Sequence, residues 1–83
     1  MRYTVVWTKS ARDELAELWL NSSNRRAVSS VADAIDKRLS EDASAKGTEI
    51  SEGLRAILSP PIRVLFAVSD QDLIVEMLRV RDV

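Results

Sequence analysis

Alternation opens the chain. Tyr3, Val5 and Trp7 interleave with Thr4, Val6 and Thr8, all good strand formers, which predicts a strand over Arg2 to Thr8. The apolar period then lengthens to that of a helix. Ala11, Leu15, Leu18 and Trp19 fall on one stripe; Ser10 offers an N-cap, and Asp13 and Glu14 suit the positive end of a helix dipole. This helix should stop near Leu20, because Asn21-Ser22-Ser23-Asn24 is polar and turn-forming. A second helix, capped by Ser23 or Asn24, is marked by Val28, Val31, Ile35 and Leu39, with Arg25, Asp33, Asp36 and Lys37 on the other side. So short a link predicts a helical hairpin that turns both apolar stripes toward one sheet.

From Glu41 to Glu52 the residues are small, polar and charged, and the segment reads as a loop with Gly47 as terminator or turn. Three strands follow: Leu54 to Leu58, Ile62 to Ser69, and Leu73 to Val80. A two-residue turn at Asp70-Gln71 would pair Val68 with Leu73, Phe66 with Val75 and Val64 with Met77, a coherent apolar face for the helices. A three-residue turn at Ser59-Pro60-Pro61 is preferred, since a two-residue turn would flip the preceding strand and bury Arg55 as an unpaired charge. On that register the open face carries Arg55, Ile57, Arg63, Leu65, Ala67, Ile74, Glu76 and Leu78, with Glu76 diagonal to Arg63. A sheet face so apolar marks a binding or dimer surface.

Composition narrows the chemistry. With 83 residues the chain is one domain, 1–83. It contains no Cys and no His, so thiolate sites and His-dependent nucleophile systems are excluded. The net charge of -1 lacks the basic excess of a nonspecific nucleic-acid binder. No apolar run approaches the roughly 20 residues of a membrane span, and the short alternating start does not resemble a signal peptide.

The element order and several words resemble the RelE/ParE superfamily of type II toxin–antitoxin toxins. The words are Tyr3-Thr4-Val5-Val6-Trp7, then Ala11-x-x-x-Leu15-Ala16-x-Leu18-Trp19, Gly53-Leu54-Arg55, Ile62-Arg63-Val64-Leu65-Phe66-Ala67-Val68 and Ile74-Val75-Glu76-Met77-Leu78. The resemblance implies an α+β, two-layer fold: strand, helix, helix and a three-stranded antiparallel meander, with the first strand beside the last. It implies a cytoplasmic protein without cofactor or metal, silenced by a cognate antitoxin that wraps it with a helix and a strand. RelE-type members cut mRNA in the ribosomal A site; ParE-type members inhibit DNA gyrase.

Arg63 matches the family's arginine in the penultimate strand, and Arg55 roughly matches a basic position in the strand before it. These are the catalytic candidates if the chain is a nuclease. Ile57, Leu65, Ile74, Glu76, Leu78, Arg79 and Arg81 are the binding candidates. The family's nucleases carry a further basic residue and often a Tyr or His past the last strand, where this sequence reads Arg79-Val80-Arg81-Asp82-Val83. Only Lys46 and Glu76 stand out as proton acceptors or donors near the arginines. The expectation is therefore a toxin that binds a target such as gyrase, with mRNA cleavage, or a non-toxic homodimeric module, as the alternatives.

Overall fold

The computed structural model describes residues 2–83. Strand β1 (Thr4–Trp7) leads into helices α1 (Lys9–Asn21) and α2 (Arg25–Asp42). Strands β2 (Thr48–Ser51), β3 (Leu54–Ser59), β4 (Ile62–Ser69) and β5 (Ile74–Asp82) follow. They form one sheet in the order β1-β5-β4-β3-β2, antiparallel except where β1 runs parallel to β5. The α+β architecture and the first strand beside the last are as expected, but the meander has four strands.

Local chemistry sets the joints. Thr8, not Ser10, caps α1: its Oγ1 accepts the Ala11 N–H at 3.2 Å and donates to the Met77 carbonyl at 2.8 Å. One hydroxyl thus ends β1 and starts the helix. Asn24 caps α2 by accepting the Ala27 N–H at 3.1 Å. Arg25 sits at the positive end of α2, yet it donates to the Trp19 and Leu20 carbonyls (3.2 and 3.1 Å) and lies over the Trp19 ring. It therefore serves the negative end of α1, where carbonyls lack helical partners.

Both helices cover one face of the sheet. Ile35 and Leu39 of α2 meet Val64 and Phe66 of β4 and Val75 and Met77 of β5, all fully buried.

Three sequence expectations are corrected. The segment from Glu41 to Glu52 is not a loop: α2 runs to Asp42, a 3-10 turn spans Ala43–Ala45, and β2 pairs with β3 at the sheet edge. Every β2 residue is exposed, so no alternation betrays it. Ser59 lies opposite Ile62, so Pro60 and Pro61 alone make the turn and β3 is flipped relative to the expected register. Arg55 and Ile57 leave the open face, which instead receives Leu54, Ala56 and Leu58. The argument from an unpaired charge fails because Arg55 is paired: Nε donates to the Lys46 carbonyl at 2.7 Å, Nη2 donates to the Gly47 carbonyl at 3.2 Å, and Glu49 lies 3.5 Å away.

The β4–β5 turn takes four residues, with Ser69 opposite Ile74 and Leu73 at φ 55. That displaces the expected pairing by two residues, which leaves the faces unchanged. Between Leu65 and Phe66 the register against β5 shifts, so Phe66 faces Met77 while Leu65 faces Arg79. Leu78 is the extra residue of this bulge. Past it the core position on β5 is Val80, and Arg63 comes opposite Arg81 instead of Leu78.

Candidate functional site

The open face can be read rung by rung, since directly paired residues share a face. One rung is Leu58–Arg63–Arg81, the next Ala56–Leu65–Arg79, and the third Leu54–Ala67–Glu76, with Val6 of β1 beside Glu76. Ile74 faces Ser69 and Thr4 beyond it. Leu58, Val6 and Ile74 are exposed, while Leu65 and Leu78 are half-buried. The surface is thus apolar through its middle, basic at the Arg63 end and acidic at Glu76.

The structure brings together Arg63, Leu65, Arg79 and Arg81 and separates the other candidates from them. Glu76 is level with Ala67, four residues along β4 from Arg63, roughly 13 Å at strand rise. The expected diagonal pair of Arg63 and Glu76 does not form: the four-residue turn moves Glu76 two residues along β4, opposite Ala67, and the bulge at Leu78 then brings the two arginines of β5 opposite Leu65 and Arg63. Among the described residues Arg63 makes no hydrogen bond or ion pair, with Glu76, Lys46 or any other group. Ile57 is buried in the core, and Arg55 is a mostly buried tie between β3 and the segment leading into β2. Neither lies on the open face beside the arginines.

Glu14 belongs to it and sequence reasoning missed it. Its Oε1 accepts the Val80 N–H at 2.9 Å, and its Oε2 accepts from Arg79 Nη1 at 3.2 Å and from Arg81 Nη1. The Arg81 guanidinium, and then the Val80 N–H, hold this carboxyl below the usual glutamate range. A signal existed: position 14 lies three after Ala11 and four before Leu18, so a charge sits within the apolar stripe of α1.

A guanidinium is permanently charged and grips oxyanions through two donors, so three at one corner make an anion-binding surface. A separate cavity of about 430 Å³ lies between the α1–α2 link and the β3–β4 turn, where Asn21, Asn24, Pro61 and Asp82 line it. Among the described residues no acids gather as a metal site, and no helix is long and apolar enough to cross a membrane.

The sequence matches no protein-family model and no curated protein. The fold matches solved toxin–antitoxin structures. Against the RelBE2 toxin–antitoxin complex of Mycobacterium tuberculosis the TM-score is 0.81 at 24% identity, over 100% of this chain and 93% of that one. Against the chromosomal ParDE system of P. aeruginosa it is 0.69 at 23% identity, over 99% and 97%. Against the free toxin RelE of E. coli, in a variant with two arginines replaced by alanine, it is 0.72 at 17% identity, over 99% and 84%. The chain has the RelE/ParE toxin fold.

Proposed function

We propose that this chain is the toxin component of a type II toxin–antitoxin system, acting in the cytoplasm through the arginine corner of its open sheet face. A cognate antitoxin silences it by covering that face. The observation that carries the reading is the register that roots Arg63, Arg79 and Arg81 as neighbours beside exposed Leu58, on a fold shared with solved toxins. Exposed Leu58, with half-buried Leu54 and Leu65, supplies area to bury, and the arginines supply orientation.

Binding and blocking a target such as gyrase is the favoured mode. Cleaving RNA requires a group that takes the proton of the attacking 2'-hydroxyl. The carboxylate bound to the arginines, Glu14, accepts from three donors and is held below its ordinary pKa, which makes it a weak base. Ribosome-dependent mRNA cleavage is the second reading, and one observation favours it: guanidinia from two neighbouring strands suit a phosphodiester.

Growth of a bacterial culture after inducing the chain alone tests the proposal, with Arg63→Ala as the paired control. Arg63 is exposed and its side chain makes no bond among the described residues, so its loss costs about 0.5 kcal/mol of stability or less. Arrest by the parent and growth with the soluble variant is the expected result. Gyrase supercoiling and mRNA integrity in the arrested cells then separate the two modes. Unchanged growth with soluble parent protein overturns the reading.

A further inference from the structure

β1 ends at Trp7, so beyond Met77 no strand lies beside the outer edge of β5 among the described residues. Backbone N–H groups on such an edge need another acceptor. The Val80 N–H finds one in the Glu14 carboxylate, which arrives from α1. The same carboxylate draws in the guanidinia of Arg79 and Arg81, although strand alternation roots both arginines on the open face. Both remain about half exposed, at 54% and 53%, whereas the Glu14 side chain is 22% exposed.

The charges at this corner are unevenly paired. Among the described residues two guanidinia share one carboxylate and Arg63, opposite Arg81, has none, while Glu17 and Asp82 line the same hollow as Glu14 and Arg81. Glu14 also decides where two of those charges point: toward α1 at the sheet edge, not toward Arg63.

We propose that Glu14 is a built-in counter-ion that competes with the phosphates of a bound nucleic-acid strand for Arg79 and Arg81. This rests on the arginine corner being the acting site and on the second reading, in which a nucleic-acid strand lies on it, and it adds how that site is restrained. In the resting protein Arg63 is the free cation, and Arg79 and Arg81 are held by Glu14. An incoming phosphate displaces the carboxylate from the guanidinia. Glu14 keeps the Val80 N–H, so the strand edge stays capped while the arginines swing to the ligand. Arg79 Nη1 and Arg81 Nη1 meet on one carboxylate oxygen, Glu14 Oε2, so a phosphate oxygen can take the same place, and a phosphate offers further oxygens that one carboxylate lacks.

The experiment is fluorescence anisotropy with a labelled single-stranded oligouridylate of about twelve nucleotides, titrated over a range of salt against the parent, Glu14→Gln and Arg63→Ala. The glutamine amide oxygen still accepts the Val80 N–H, and a thermal melt confirms that each variant is folded. Glu14→Gln is expected to bind roughly five- to tenfold tighter at moderate salt. Its log–log salt slope should stay close to the parent's, because Arg79 and Arg81 meet phosphate in both complexes once the carboxylate is displaced. Arg63→Ala should flatten the parent's slope by about 0.7. An unchanged or weaker affinity for Glu14→Gln overturns the proposal and leaves an acidic protein surface as the occupant of the corner. The growth assay judges the toxin reading separately: tighter RNA binding by a chain that never arrests growth would keep the counter-ion and remove the toxin.

Discussion

The Tyr3 hydroxyl donates to Asp70 Oδ1 at 2.6 Å, joining the residue before β1 to the turn between β4 and β5. Ser44 Oγ lies 3.3 Å from the same hydroxyl. The bond to Asp70 holds the Tyr3 phenol above the ordinary tyrosine value, because ionised tyrosine would face a carboxylate with no proton to share. A folded-state pKa that is raised means stability present below about pH 10 and lost as pH rises through the folded value. Melting curves of the parent and Tyr3→Phe between pH 7 and 11 check this. The parent should be the more stable at pH 7, and the difference should shrink only at the alkaline end.

Arg55 should prove structural. It donates to two consecutive carbonyls, of Lys46 and Gly47, and its side chain is only 16% exposed. Arg55→Met is expected to cost about 2 kcal/mol, read as a lower urea midpoint, because both carbonyls lose a charged donor. Arg55→Lys should recover only part, since one ammonium does not reproduce the planar fork. Toxicity per folded molecule should not change.

Two glycines give a matched pair. Both have positive φ, 68° at Gly47 and 77° at Gly53. A Cβ on Gly47 would stand 2.3 Å from the Ala56 carbonyl oxygen, whereas the nearest atom at Gly53 is 3.6 Å away. Gly53→Ala should cost about 1 kcal/mol for the backbone conformation alone. Gly47→Ala should cost about 3 kcal/mol, adding the clash that pushes β2 off β3. Denaturant titrations of the two variants would give the ranking.

Glu14 makes an acid prediction. Its carboxyl is held below the ordinary range by Arg81, Val80 and Arg79, so its contribution is present above the unfolded-state value and is lost as pH falls through the folded one. Parent and Glu14→Gln melts, compared from about pH 7 down to pH 2, should converge at the acid end. A stability difference that stays constant over that range would contradict the assignment.

What was legible in the sequence followed from burial. Val64, Phe66, Val75 and Met77 alternate because one side of their strands is packed, and α2 shows its period through Val28, Ile35 and Leu39 for the same reason. Thr48 to Ser51 lacks a buried side and so reads as loop. The flip of β3 was hidden for a different reason. Whether Arg55 can be turned inward depends on two carbonyls supplied by Lys46 and Gly47, and main-chain acceptors leave no trace in residue type. The bulge at Leu78 was equally silent, and it decides that Arg81, not Val80, stands opposite Arg63. Arg63, Arg79 and Arg81 were each candidates beforehand; only the register shows that they are neighbours.

The parallel pairing of β1 with β5 has a consequence in time. Thr4 lies opposite Ile74, seventy positions later, so at about 5–20 residues per second β1 waits roughly 4 to 14 seconds during synthesis for its neighbour. Glu14, on the helix just after β1, is made early; Arg79 and Arg81 emerge long afterward. The newborn chain therefore carries its own carboxylate before it carries the arginines that the carboxylate holds.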